Sequence, residues 1–283
     1  MRFCPIASGS SGNCVYVGAK KSHLLVDAGL SGKRIEEALS QLGIPKLTGV
    51  LVTHEHSDHV SGVGVISRRF GVPVFATPHT WRYFLRHGTI GTIAPELQRI
   101  VIPGERISVG DIDILPFDIS HDASQPVGYC LFTKKHKAVV VTDTGYVTDT
   151  MRNLLMNTHV ILLECNYDVE MLQNGSYPKM LKERIKGSRG HLSNIAAGAL
   201  LAEIASNTTN STDLTILQNT SSMSKSSKMP NELVHVFLGH LSEENNRPMI
   251  ALDTVQRILE VNGLHIRGLA VAERDFPSEM ICL

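Results

Sequence analysis

Apolar residues fall along this chain mostly in short runs broken by glycine, proline and polar turns, with a few longer stretches at helical spacing. Cys14-Val15-Tyr16-Val17 and His23-Leu24-Leu25-Val26-Asp27, separated by Gly18-Ala19-Lys20-Lys21, predict an opening hairpin that leaves Asp27 at a strand end. Residues 33–42 place Ile35, Ala38, Leu39 and Leu42 on one helical face and stop at Gly43. Residues 49–53 read as a wholly apolar strand, 60–70 as a helix closed by Gly71, and 72–76 as the next strand, an order that implies a parallel layer. Short strands follow within 98–117, around Pro103-Gly104 and Val109-Gly110-Asp111, then at 127–132, 137–141 and 234–239. Residues 185–205 and 248–261 read as covering helices.

Many strands with few intervening helices fit two sheets packed face to face. The predicted class is α+β, a four-layer αββα sandwich, with residues 1–283 as one domain. A division into two domains near residue 145 has no linker-like stretch to support it. Residues 206–229, rich in Ser, Thr, Asn and Lys, read as a strand at 214–217 between polar loops.

Composition narrows the class. The 283 residues are 42% hydrophobic and 19% charged, enough to bury a sizeable core and incompatible with disorder or a fibre. No apolar run approaches the ~20 residues of a membrane helix, and Met1-Arg2-Phe3-Cys4-Pro5 does not open a secretory signal, so a cytoplasmic protein without a membrane partner is expected. The formal net charge is zero, so a nucleic-acid partner must be held by a local patch. The five cysteines (Cys4, Cys14, Cys130, Cys165, Cys282) form no Cys-x-x-Cys pair, and neither a zinc ribbon nor a disulfide framework is indicated.

The histidines carry the chemistry. Thr53-His54-Glu55-His56-Ser57-Asp58-His59 follows a buried strand. An extended start lets His54 and His56 point the same way, while Asp58 and His59 lie where the chain turns into the next helix, a geometry that suits two adjacent ions. Imidazole and carboxylate donors without sulfur suit zinc and also manganese or iron. A two-metal centre needs further donors. Those at the ends of apolar runs are His121, Asp143 and His240.

Taken together, Leu25-Val26-Asp27-Ala28-Gly29, the 53–59 cluster, His121, Thr142-Asp143-Thr144-Gly145 and His240 resemble the five ordered motifs of the metallo-β-lactamase superfamily. The resemblance implies the αββα sandwich and two divalent metal ions. His54, His56 and His121 would hold one ion and Asp58, His59 and His240 the other, Asp143 would bridge them, and Asp27 would orient the cluster without ligating. Asp143 in place of cysteine sets the chain apart from the main zinc β-lactamases, and His56 in place of glutamate from the oxygen-reducing di-iron branch. That leaves a hydrolase using a metal-bridging water as nucleophile.

Ala7-Ser8-Gly9-Ser10-Ser11-Gly12-Asn13, His121-Asp122-Ala123, Gly190-His191-Leu192-Ser193-Asn194 and the segment from Gly239 to Asn246 resemble the YycJ/WalJ-type subgroup. This implies 5′-to-3′ exonuclease action on DNA. A small-molecule phosphodiesterase and a glyoxalase-type thioester hydrolase are the alternatives. His191 resembles the histidine that phosphodiesterase members place near the leaving group, and Asp58 doubles as a base toward the attacking water. Only about a hundred residues separate Asp143 from His240, too few for the inserted cap domain of the RNA-processing branch.

The residues themselves add a basic run, Lys179, Lys182, Arg184, Lys186 and Arg189 against Glu183, which leads into His191 and reads either as a guide for phosphates or as a solvated helix face. Trp81, Tyr83 and Phe84 beside Arg82 and Arg86 read as the packed face of an amphipathic helix, with base stacking as the other reading. The turn at 8–13 reads as a hairpin turn or as a source of N–H donors for a terminal phosphate. No obligate protein partner is evident.

Overall fold

The structure, a computed structural model, describes residues 1–44, 46–210, 233 and 235–283. The anticipated strand at 214–217 and the Ser/Lys-rich stretch at 221–228 lie outside the described residues. Two mixed sheets of seven strands each pack face to face. The first comprises β1 (Arg2–Ala7), β2 (Cys14–Gly18), β3 (His23–Val26), β4 (Gly49–Leu51), β5 (Val74–Ala76), β6 (Gln98–Ile100) and, at its far edge beside β1, β14 (Ile281–Cys282). The second comprises β7 (Ile107–Val109), β8 (Ile112–Asp118), β9 (Val127–Phe132), β10 (Lys137–Val141), β11 (Val160–Glu164), β12 (His235–Gly239) and β13 (Gly268–Val271). Each is antiparallel in one half and parallel in the other, β3 through β6 in the first sheet and β10 through β13 in the second.

The helices that cover the first sheet are α1 (Gly32–Gln41), α3 (Val63–Phe70) and α4 (Pro78–His87), and a short α2 (Ser57–Val60) precedes α3. On the second sheet lie α5 (Asp149–Leu155), α8 (Asn194–Asn210) and α9 (Pro248–Val261), with α6 (Val169–Asn174) and α7 (Lys179–Lys186) near its end.

The period of two along each strand divides the core into three layers. Leu24 and Val26 of β3 meet Ala138 and Val140 of β10 and Val160 and Leu162 of β11 between the sheets. Leu25 of β3 turns outward to Ile35 and Leu39 of α1, Val63 and Ile66 of α3, and Trp81 and Phe84 of α4. Val139 and Val141 turn outward to Met151 and Leu155 of α5, Leu200, Leu201 and Ile204 of α8, and Val255 and Leu259 of α9. Central strands buried on both faces therefore read as continuous apolar runs without alternation. The layers are those of the expected αββα sandwich.

Two expected helices are each broken. Residues 60–70 divide at Ser61-Gly62, because the chain there passes so close to the 28–30 loop that a Cβ on Gly62 would sit 2.3 Å from the Leu30 carbonyl oxygen. Residues 185–205 divide between α7 and α8, where the His191 N–H donates back to the Ile185 carbonyl at 2.9 Å. This turn lifts His191 out of any helix. Trp81 and Phe84 are 6% and 3% exposed, and Trp81 Nε1 donates to the Arg99 carbonyl, so the aromatic face of α4 packs and does not stack on bases.

Candidate metal centre and its cleft

Strands β3, β4, β8, β10, β11 and β12 all run toward one end of the sandwich, so the residues that follow them meet there. Asp27 follows β3, the 54–59 cluster follows β4, and His121, Asp143 and His240 follow β8, β10 and β12. Asp27, Asp143 and His240 have φ of 60°, 60° and 55°, left-handed conformations that non-glycine residues rarely adopt. Strain of this kind persists only where surrounding contacts over-determine it. Here it turns each side chain sharply off its strand into the site.

Donor atoms of His54, His56 and His121 lie within 4.8 Å of one another, as do those of Asp58, His59 and His240. Asp143 groups with His54 and His59 on one side and with His240 on the other, so its carboxyl lies between the two triads. His54 Nε2 and His121 Nε2 converge on His56 Nδ1 at 3.0 and 3.3 Å. Burial and the neighbouring imidazole of His59 hold His54 well below the ordinary histidine range, leaving a neutral ring with a lone pair to offer.

The outer contacts fix orientation. Asp27 accepts from the Thr53 N–H and hydroxyl at 2.8 Å each and bonds His59 Nδ1 at 2.7 Å, so its oxygens are spent inside the protein. Glu55 faces away from the other cluster residues and accepts from the Ser124 N–H at 2.7 Å, tethering the 53–59 loop to the 121–126 loop. Asn13 Nδ2 donates to the Gly9 carbonyl and lies 3.3 Å from Asp58 Oδ2, and Ser8 Oγ accepts from the His240 N–H. The turn at 8–13 is thus mainly a buttress; within it Ser10 lines the cleft. Gly29 is required by this buttress, since a Cβ there would stand 1.7 Å from the Asp58 carbonyl oxygen.

One residue of the site has no counterpart in the sequence reading. Glu164, the last residue of β11, is fully buried. Its Oε1 receives Nδ1 of His191 at 2.7 Å and Nδ1 of His240 at 2.9 Å, and its Oε2 accepts from the N–H groups of Thr144 and Leu192 at 2.8 and 3.1 Å. Burial opposes ionisation of this carboxyl, and the His191 and His240 contacts overcome it, holding it low at about 2. An ionised carboxylate only accepts, so both imidazoles carry a proton on Nδ1 and direct Nε2 elsewhere. Its only sequence signal was a single acid ending an apolar run, Val160-Ile161-Leu162-Leu163.

The donor set fits divalent cations. Asp27, Asp143 and Glu164 are buried with the partly exposed Asp58 beside them, and Asp143 Oδ2, 3.1 Å from His59 Nε2, and His240 Nε2, 3.6 Å from Asp58 Oδ2, make no well-aligned hydrogen bond among the described residues. Burial opposes charge on His240, yet Asp143, Asp58 and Glu164 push it up to about 10. The pocket therefore draws in positive charge, and a divalent cation there would take the place of the His240 Nε2 proton and meet the Asp143 carboxylate.

Above these residues opens a cleft of about 280 Å³ lined by His56, Asp58, His191, Tyr177, Arg184 and Arg189, among others. The basic run divides in its roles. Arg184 pairs with Asp122, Arg189 Nε donates to the His121 carbonyl, and both line the cleft. Lys182 instead caps the Gln173 and Gly175 carbonyls at 2.8 and 2.7 Å, and Lys186 pairs with Glu183.

Strand ends that gather histidines and carboxylates at one edge of an αββα sandwich define a metal-dependent hydrolase. The chain belongs to the metallo-beta-lactamase superfamily, whose model matches residues 7–191. It is 37% identical over 282 residues to the Exodeoxyribonuclease YycJ of Bacillus anthracis, covering 99% of this chain and 97% of that one. It is 38% identical to the Exodeoxyribonuclease WalJ of Streptococcus pneumoniae serotype 2, over 87% of this chain and 83% of the relative. Among solved structures, Zn(2+)-bound PqqB from Methylobacterium extorquens superposes with a TM-score of 0.68 over 99% of this chain and all of its own, at 16% identity, a likeness of fold. Among the described residues no helix is long and apolar enough to cross a membrane.

Proposed function

We propose that this chain is a two-metal phosphodiesterase acting on DNA as a 5′-to-3′ exonuclease in the cytoplasm, and that residues 1–283 act as one domain. The observation that carries the reading is a histidine held by a buried carboxylate beside a metal-type donor cluster, in a cleft with two arginines on its wall. Relatives matching most of the chain are named exodeoxyribonucleases, which supports DNA as the polymer.

In this reading His54, His56 and His121 would hold one divalent ion and Asp58, His59 and His240 the other, and Asp143 would serve both; zinc and manganese suit the donors, and iron is compatible. When bound, such ions supply Lewis acidity toward the phosphoryl group and activate water at neutral pH. The chain's own residues do the rest. Arg184 and Arg189 meet the phosphate diester, a planar donor fork being suited to its oxygens. Asp58 accepts the proton of the attacking water at its free carboxylate oxygen. His191, whose imidazole the Glu164 contact keeps charged against the effect of burial, gives its Nε2 proton to the departing alkoxide.

The test is hydrolysis of duplex DNA carrying a 5′-phosphate and a label at either end, with manganese or zinc. Mononucleotides released first from the 5′ end are expected. Cleavage of a thioester with no cleavage of DNA or of an aryl phosphodiester overturns the reading, and release from the 3′ end overturns its polarity.

A further inference from the structure

The opposite end of the sandwich carries a second charged feature that the reaction does not use. Three strand-to-strand turns converge there, β2–β3 from the first sheet and β7–β8 and β9–β10 from the second, around an open cleft of about 1020 Å³. It is lined by Lys20 and Lys21 of the β2–β3 turn, by Lys134, Lys135 and His136 of the β9–β10 turn, by Arg2 of β1, and by a single acid, Asp111. That acid is occupied: its carboxylate accepts from the Lys21 N–H at 3.0 Å, and its own N–H donates to Ser22 Oγ at 3.0 Å. Ser22 Oγ donates in turn to the Val109 carbonyl at 2.8 Å, so turns from two different sheets are stapled into one frame.

All four lysines are exposed, and among the described residues none forms an ion pair. The whole chain has no net charge, so this local surplus is a matter of placement. Strand β3 separates Lys21 from Asp27, and β10 separates Lys135 from Asp143. At about 3.3 Å per residue the cleft lies roughly 20 Å or more from the metal centre.

We propose that this cleft is a second nucleic-acid surface, gripping backbone phosphates of DNA away from the end being cut; the proposal rests on the DNA reading above. A site for one phosphate group needs donors converging on a point, preferably buried ones. Here four exposed lysines stand in two pairs, on turns of the two different sheets, around a wide, open cleft, which suits successive phosphates of a polymer and reads no base sequence.

The test compares the wild-type holoenzyme with the variant Lys20→Gln, Lys21→Gln, Lys134→Gln, Lys135→Gln. Binding to a long duplex with phosphorothioate-blocked ends is measured by fluorescence anisotropy across a potassium chloride series. Removing four phosphate contacts should flatten the slope of log K against log salt by about 3 to 4, while hydrolysis of a small aryl phosphodiester stays at the wild-type rate. The pair Lys134→Gln, Lys135→Gln should give about half the change and guards against misfolding of the fuller variant. An unchanged slope, with the wild type binding and cutting DNA, overturns the second surface and leaves the nuclease reading standing. Lysine-dependent binding to phosphatidylglycerol vesicles without binding to the blocked duplex also overturns it, in favour of a membrane contact. A wild type that cuts the aryl diester but neither binds nor cuts DNA overturns both.

Discussion

Replacing Glu164 by glutamine tests the site at the point where the geometry is most constraining. The carboxylate receives four contacts, two imidazole N–H groups at Oε1 and two backbone N–H groups at Oε2. A glutamine must turn its amide nitrogen to one of these pairs. Backbone N–H groups cannot become acceptors, whereas an imidazole can change tautomer, so the NH2 will face the histidines. A neutral, metal-binding His240 must then carry its proton on Nε2, 3.6 Å from Asp58 Oδ2, instead of on Nδ1. That removes the lone pair offered to a metal, and loss of such an outer contact typically costs 10–100-fold in metal affinity. His191 loses the charge that keeps it protonated, and loss of a general acid costs about 10²–10⁴-fold in kcat.

Exchange of two charge-assisted bonds for neutral ones should also destabilise the metal-free protein by about 3 kcal/mol, or roughly 6–12 °C in a chain of this size. The assay joins calorimetric metal titration to kcat on a series of aryl phosphodiesters. The loss in Glu164→Gln should deepen as the leaving group becomes more basic. It should not add to the loss in His191→Ala at the chemical step, since both remove the same proton donor. Wild-type metal affinity and kcat in Glu164→Gln, with His191→Ala still impaired, would refute the positioning role. Equal impairment for all leaving groups would remove His191 as the acid.

Gly29→Ala drives a methyl group against the Asp58 carbonyl, which also accepts from the Asn13 N–H at 2.7 Å; a loss of about 3 kcal/mol in thermal melting and weaker metal binding are expected. Metal at a hundredfold excess over Kd should stabilise the wild type by about 2.7 kcal/mol, and His54→Ala should lose most of that gain in the same melt. In the metal-free protein His240 is raised to about 10 from its ordinary 6.5, so its stabilisation is fully present below about pH 6.5 and is lost as pH rises through 10. Melting with chelator should therefore fall across that window, and a flat profile counts against the electronegative pocket. Arg184→Ala and Arg189→Ala should each reduce the salt slope of DNA binding by about 1, whereas Lys182→Ala, which loses only a helix-end cap, should act on stability alone.

The chain's local patterns carried much of the architecture. Strands β9 and β10 and helix α9 fall on the predicted residues, because each is a run whose period or length is unambiguous and whose ends carry turn signals. Strands β1, β11, β13 and β14 were not anticipated. Val160-Ile161-Leu162-Leu163 is buried on both faces, and such a run has no alternation to distinguish it from a helix segment. The break at Gly62 and the turn holding His191 depend on contacts with Leu30 and Glu164, distant in sequence and invisible to a local window.

By itself the sequence determined the donor chemistry: histidines and carboxylates spaced after apolar runs, the αββα class, and a charge balance that leaves any polyanion to local patches. Only the tertiary structure decided which strand ends share an edge. Strand order, a non-local property, places β11 between β10 and β12 and so brings Glu164 against His191 and His240. The same packing divided the basic residues, sending Arg184 and Arg189 to the catalytic cleft and Lys182 to a helix end. It also gathered two distant lysine pairs at the far end, because hairpin turns of two sheets meet only once the sheets have packed.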